Sequence, residues 1–412
     1  MGVVQPKVVM ERTLPQFDAM IVADPKHSLF FQPILQMPSQ FSTSDKARLT
    51  EAYLRAIEQR IVPAYRKLRS FVQEEYLPKA RSTYGLSNLP DGIAWYEHAV
   101  RTRTTTSLTP EEIYRLGTEE IQRIKKEMDR VRSESGFQGT LREFSQYLVK
   151  TAPPGFTRRD ELVEGYEVIR KKVTPRLTKL FGHLPKATFE IRTVEKFREE
   201  SSPSQYQSAS PDGSRPGIFY VNASGIERRP RRASESLFLH EALPGHHFQI
   251  SLQREQERLP RFRRFVNYTA FAEGWALYAE SLGPELGLYN EPYQSFGRLN
   301  SELFRAARLV IDVGLHRKNW SREQALKFMR ETTGASEAGA SLEIDRYIAW
   351  PAQALSYKIG QLKISAIRTK AEKALGSKFD IRAFHDELLK DGGMQLDLLE
   401  RKMDVWIEHQ RP

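Results

Sequence analysis

The 412-residue chain contains no cysteine. That absence excludes a disulfide scaffold, a Cys-ligated zinc finger, an iron–sulfur cluster and a thiol nucleophile. No stretch approaches the roughly 18 uninterrupted apolar residues of a transmembrane helix. Residues 1–10 lack a basic segment leading into an apolar core, so no signal peptide is read there. Pro6 stands where a myristoylation signal requires Ser or Thr. There is no fixed-period repeat and no low-complexity tract. What the chain does have is 40% hydrophobic and 28% charged residues, enough to build and solubilise a buried core. The formal charge of +11 leaves an anionic partner open. The most basic run, residues 228–232, carries no interleaved aromatics, so it reads as an exposed loop and no nucleic-acid partner is expected.

Helical spacing of Leu49, Ala52, Tyr53, Ala56, Ile57, Ile61, Ala64 and Leu68 predicts a helix over 44–76. Thr109-Pro110-Glu111-Glu112 reads as a capping box with proline at the first helical position. The stripe Ile113, Leu116, Ile121, Ile124, Met128 and Val131 follows it, with Glu119, Glu120, Lys125 and Lys126 on an expected solvated face. Residues 188–192 and 218–222 have strand character, and 199–216 is expected to be a polar loop between them. From 233 onward the pattern is helical, with Ser321 and Asp380 as N-caps. The expected fold is mainly α (α+β), with a small central sheet.

Three of the nine histidines fall within residues 240–247, HEALPGHH. A His-Glu pair followed shortly by His is the arrangement of a zincin helix. Two imidazoles on one face bind Zn²⁺, and the adjacent carboxylate, here Glu241, handles the proton of the attacking water. In the usual spacing the second His lies four residues on, where this chain has Pro244. If Pro244 and Gly245 are looped out, His240 and His246 recover that relation. On an unbroken helix His247 would lie about 20° off the His240 face, two turns away, but Pro244 would remove a helical hydrogen bond and clash. His246 is therefore the favoured ligand and His247 the alternative. A third protein ligand is needed. Glu273, in the apolar run AFAEGWALYAE, is the candidate, because an unpaired carboxylate there would be costly to bury. Glu280, two turns on, is placed to orient an imidazole.

These strings, with the run 346–362 (RYIAWPAQALSYKIGQL), resemble the bacterial domain-of-unknown-function 885 family over nearly the whole chain. That family looks like a branch of the gluzincin metallopeptidases, kin to thimet oligopeptidase and angiotensin-converting enzyme. The resemblance implies a helical zincin-like catalytic domain over 1–412. Its parts would be a helical portion (1–170), the sheet and zinc-site helices (171–290), and a helical portion completing the cleft (291–412). It implies one Zn²⁺ and a peptide or peptide-like substrate. Relatives are commonly longer at the N-terminus and carry signal or lipoprotein sequences. The chain is therefore expected to begin inside the family's domain, with a periplasmic, lipoprotein or else cytoplasmic full-length protein.

In such clan members an edge strand upstream of the zinc helix binds the substrate backbone. Residues 217–222 (GIFYVN), with Tyr220 and Asn222, are expected in that role. Tyr347 and Tyr357 are candidates for stabilising the oxyanion, with His316 as an extra donor. Arg308 is expected to contact substrate unless it pairs with Asp312 four residues on. Arg346 is a candidate clamp for a substrate carboxylate, and the histidine not used as a ligand, His247, is a further substrate contact. The resulting expectation is a zinc hydrolase of peptide amides with Glu241 as general base. The alternatives are a hydrolase or tailoring enzyme acting on a non-peptide amide, or an inactive zinc-binding protein.

Overall fold

The computed structural model describes residues 3–152, 155–199, 202–211, 214–228 and 234–411. Apart from the backbone of Arg228, the basic run 228–232 lies outside them.

Short helices α1 (Lys7–Glu11), α2 (Leu14–Met20) and α3 (Gln32–Leu35) precede a long helical run. The helix expected over 44–76 forms as α4 (Thr43–Ala56) and α5 (Val62–Ser70), with π-helical turns at Ile57–Ile61 and Phe71–Tyr76. Ser42 starts it, its Oγ accepting the Asp45 N–H. Next come α6 (Gly92–Thr104) and α7 (Pro110–Glu134). The latter begins at the expected capping box: Thr109 Oγ1 accepts the Glu112 N–H, and the Glu112 carboxylate accepts the Thr109 N–H. Five of its six stripe residues are buried, Leu116 being the exception. Helices α8 (Leu141–Lys150) and α9 (Arg159–Val173) complete the part before the sheet.

The sheet has strands β1 (Phe189–Thr193), β2 (Gln205–Gln207) and β3 (Gly217–Val221), in the order β1-β3-β2. β3 pairs parallel with β1, Ile191 opposite Phe219, and antiparallel with β2, Tyr206 opposite Phe219. Two corrections follow. The loop expected over 199–216 contains a strand, and the strand expected at the edge is the central one. Its backbone groups are taken up by neighbours on both sides, so it cannot accept a substrate strand.

Beyond the sheet lie α10 (Glu235–Glu241), α11 (His246–Glu255), α12 (Arg261–Phe265), α13 (Thr269–Glu280), α14 (Pro292–Arg317), α15 (Arg322–Thr333), α16 (Glu337–Ala349), α17 (Ser356–Leu375), α18 (Ile381–Leu389) and α19 (Leu396–Gln410). Ser321 and Asp380 cap α15 and α18 as expected. The fold is mainly helical with one small sheet.

Helix α14 is nearly surrounded: Leu309 and Val313 join one apolar cluster and Val310 and Ile311 another. Its contact with α7 is close because Gly117 leaves room, a Cβ there falling 2.7 Å from Leu309 Cβ. Helices α13 and α17 cross still more tightly at Gly274 and Gly360, where a Cβ on Gly274 would fall 2.4 Å from Gly360 Cα and one on Gly360 2.6 Å from Gly274 Cα. One residue before Gly274 is Glu273, and one turn before Gly360 is Tyr357, so this crossing brings the two together. Beside it the fully buried Lys358 is held by Glu302 at 2.7 Å and Glu120 at 2.8 Å. Glu120 therefore turns inward to a buried cation rather than lying on a solvated face.

Candidate metal centre

The HEALPGHH segment does not continue as one helix. α10 ends at Glu241, residues 242–245 loop out, and α11 starts at His246. Pro244 has no N–H to offer a helix. A side chain at Gly245 would run into the carbonyl oxygens of Leu239 and His240, so glycine is required there. The loop is fastened from α13, where Trp275 Nε1 donates to Pro244 O at 2.8 Å.

This puts His240 and His246 side by side, their rings 4.9 Å apart and nearly perpendicular. Glu273 Oε2 stands 3.5 Å from His240 Nε2 and 3.4 Å from His246 Nε2. One donor atom from each of the three residues lies within 4.8 Å of the others. Tetrahedral ligands at about 2.0–2.1 Å from a Zn²⁺ would be roughly 3.3 Å apart, close to these separations. Among the described residues, Glu273 Oε2 and His246 Nδ1 are buried without a hydrogen-bond partner. Two imidazoles and one carboxylate, with an orphaned oxygen between them, fit a catalytic zinc site that keeps a position open.

His240 Nδ1 lies 2.9 Å from Glu280 Oε1, both residues being buried. A carboxylate at Nδ1 fixes the ring and leaves Nε2 facing Glu273. Burial opposes charge on His240, but the Glu273 and Glu280 carboxylates beside it prevail and raise its pKa to about 9. Burial would likewise raise Glu273, yet His246 and His240 hold its carboxyl well below the usual range. Together the three groups attract positive charge to the point they share. Glu241 follows directly on α10 and is buried; desolvation raises its pKa against the pull of the two histidines.

His247 lies elsewhere. Its Nδ1 is 2.9 Å from the Tyr206 hydroxyl and 3.5 Å from the Ser251 hydroxyl, and its ring rests on Phe189. Burial lowers its pKa to about 4, and it stands outside the cluster formed by His240, His246 and Glu273. It holds the edge strand instead. Tyr206 sits on β2, and its backbone N–H faces the Glu241 carboxyl. The edge beside the site is thus β2. A three-residue strand in a polar stretch carries no readable period, so Tyr206 escaped the sequence reading.

Further expected site residues are placed differently. Tyr220 points to the sheet face occupied by Val194 and Ile218, opposite the one where Phe219 meets Phe238 of α10. Asn222 uses its side chain to fasten the loop before β2, donating to Glu199 O and Ser202 O at 2.7 Å. His316 is fully buried, with Nδ1 accepting from Leu86 N–H and Nε2 donating to Tyr347 O, so it has no donor to spare. Tyr347 donates its hydroxyl to Glu343 at 2.7 Å and accepts from Arg308 Nε at 2.9 Å. Arg346 is engaged by Gln353 Oε1 and Glu343 Oε2. Arg308 and Asp312 do not pair: Arg308 binds Glu343 and stacks on Tyr357, while Asp312 takes the Tyr96 hydroxyl and the Ala352 N–H. Tyr357 is the tyrosine that lies by the cluster; burial and the Glu273 carboxylate both raise its pKa.

The family model described as a bacterial protein of unknown function, DUF885, matches residues 1–403. No curated protein matches the chain. Among solved structures, a protein from Colwellia psychrerythraea, described as a candidate lipoprotein, is 34% identical with a TM-score of 0.93. The match covers 98% of this chain and 71% of that one. A candidate lipoprotein of unknown function from Shewanella oneidensis shares the fold at 20% identity and a TM-score of 0.72, covering 97% of this chain and 74% of that one. Among the described residues no helix is long and apolar enough to cross a membrane.

Proposed function

Because the chain belongs to the DUF885 family of bacterial proteins, whose description names no reaction, we propose a function from the site: a zinc-dependent hydrolase of amide bonds in peptides or peptide-like molecules. The observation that carries this reading is the convergence of His240, His246 and Glu273 within 4.8 Å beside a buried Glu241. His240, His246 and Glu273 would hold the ion, in the manner of the gluzincin peptidases. When bound, Zn²⁺ supplies a Lewis acid that polarises a carbonyl and lowers the pKa of water.

The chain's own residues do the rest. Glu280 holds His240 in the orientation that presents Nε2. Glu241 takes the proton from the attacking water on its carboxylate and passes it to the leaving nitrogen. Its desolvated setting raises its basicity toward what such a shuttle needs. The Tyr357 phenol, beside Glu273, is the donor for the oxyanion. The free edge of β2, anchored through Tyr206 and His247, is where an extended substrate would add its backbone. The lipoprotein description of the Colwellia protein supports a location outside the cytoplasm.

The test compares zinc content and cleavage of short N-acylated peptides in wild type and Glu241→Gln. The variant should keep its zinc and lose about 10²–10⁴-fold in turnover. Unchanged turnover, or a wild type that takes up no zinc, would overturn the reading. Zinc uptake without any Glu241-dependent cleavage would leave only a binding role.

A further inference from the structure

A cavity of about 340 Å³ is lined by His240 of the candidate centre and by the Glu280 that orients it. Ser301 and Arg305 of α14 and Leu148 and Val149 of α8 also line it. Its volume is at the small end of ligand sites.

Arg308 and Arg346 share one carboxylate, each placing Nη2 3.1 Å from Glu343 Oε2, and that same oxygen also receives the Tyr347 hydroxyl. Arg308 Nη1 remains buried with no acceptor. Arg298 is balanced by Glu302 at 3.1 Å and Glu127 at 3.7 Å. Arg305 has no carboxylate partner among the described residues. Its Nη1 donates to Ser301 Oγ at 2.6 Å, and its Nε is buried without an acceptor. A guanidinium cannot shed its proton, so a half-buried one without a counter-ion is costly unless a ligand supplies the negative charge. Three residues apart on one helix, Arg305 and Arg308 bias the same side of α14 toward an anion. Arg305 lines the cavity, as does Arg298, whose charge is already balanced.

We infer that this cavity is a subsite for a carboxylate of the substrate, held by the Arg305 guanidinium. The expected clamp, Arg346, is already committed to Glu343 and Gln353, and a planar fork without an acid is what a carboxylate pairs with best. The inference rests on the amide-hydrolase reading for the kind of molecule that brings the carboxylate, but not for the charge. The carboxylate can be the C-terminus of a short peptide or an acidic side chain.

The experiment is calorimetric titration of the zinc-loaded full chain carrying Glu241→Gln, which would hold substrate without turning it over. The probes are N-acetyl-trialanine, its C-terminal amide, and that amide with glutamate as the last residue. The acid should bind about tenfold or more tightly than the plain amide. Adding Arg305→Gln should erase that difference while leaving the plain amide's affinity unchanged, and Arg305→Lys should restore part of it. A glutamyl amide that matches the acid and depends equally on Arg305 identifies an acidic side chain as the source and supports the subsite. Equal binding of all three probes, no binding of any, or a preference for the acid that survives Arg305→Gln would each overturn it. If Arg305→Gln does not fold, a preference unchanged in Arg305→Lys overturns the assignment and a reduced one supports it. Cleavage by wild type is read separately. Arg305-dependent binding without cleavage removes the hydrolase reading alone, and cleavage without carboxylate preference removes the subsite alone.

Discussion

Replacing Gly360 by alanine tests how the helix crossing builds the site. A Cβ at this position lands on the carbonyl oxygen of Ala270, far inside contact distance, and 2.6 Å from Gly274 Cα. Both obstacles are main chain, so no side-chain rotation relieves the clash, and α13 and α17 must separate by roughly 1 Å to restore ordinary contact. Alanine gains about 1 kcal/mol over glycine in a helix interior. Overpacking against backbone should cost about 3 kcal/mol or more, the upper end of the usual range. The net expectation is a loss of about 2 kcal/mol or more. The separation also carries Tyr357 away from Glu273, so activity should fall beyond what the lost stability explains. Gly297→Ala is the contrast: it lies inside α14 with nothing within 4 Å of a new Cβ, and should gain up to about 1 kcal/mol. Urea unfolding of both variants, with zinc competition and turnover measured on the folded protein, reads all three quantities. A Gly360→Ala protein as stable and as active as wild type would refute the argument, as would a shift of the same sign in both variants.

Glu280→Gln should keep the fold but weaken zinc binding by about 10–100-fold, because the amide no longer orients His240 through a charge-assisted bond; a chelator competition assay measures it, and an unchanged affinity would count against the pairing. Tyr206→Phe removes the tether to His247 and, on the proposed reading in which β2 docks substrate and Glu241 shuttles the proton, should raise KM more than it lowers kcat. Stability should decline on acidification between about pH 6.5 and pH 4. Burial lowers His316 to about 4 and His385 to about 3, so in that window the unfolded chain takes up protons the folded chain refuses. The stability each contributes, about 3 kcal/mol or more, is complete above pH 6.5 and lost as pH falls toward the folded values. Asp312 has the opposite sign: burial raises it to about 7, so acidification favours the folded form, and Asp312→Asn should make the decline steeper. Urea midpoints across that pH range decide both points, and a flat profile in the two proteins would contradict them.

The sequence by itself determined the helical character, the caps at Thr109, Ser321 and Asp380, and the candidacy of His240 and Glu273, with His246 favoured over His247. These signals are local: a capping box spans four residues, and Pro244 alone argues against an unbroken helix. An acid in an apolar run announces that it needs a partner, which is how Glu273 stood out. Tertiary structure decided everything that depends on which faces meet. It turned His247 toward Tyr206 and away from the centre. It put β3 between two strands and left the edge to β2. It also separated Tyr357, by the cluster, from Tyr347, tied to Glu343. His316 and Arg346 looked available because a sequence shows a side chain's chemistry but not its partners. Their donors are spent on a backbone carbonyl and on Gln353 and Glu343, groups brought to them by other turns and helices. Arg305 shows the converse, since only packing reveals a guanidinium whose Nε is buried without an acceptor among the described residues. Capping and helix breaking act within one turn of the chain, whereas the pairing of buried polar groups is settled by contacts between segments far apart in sequence.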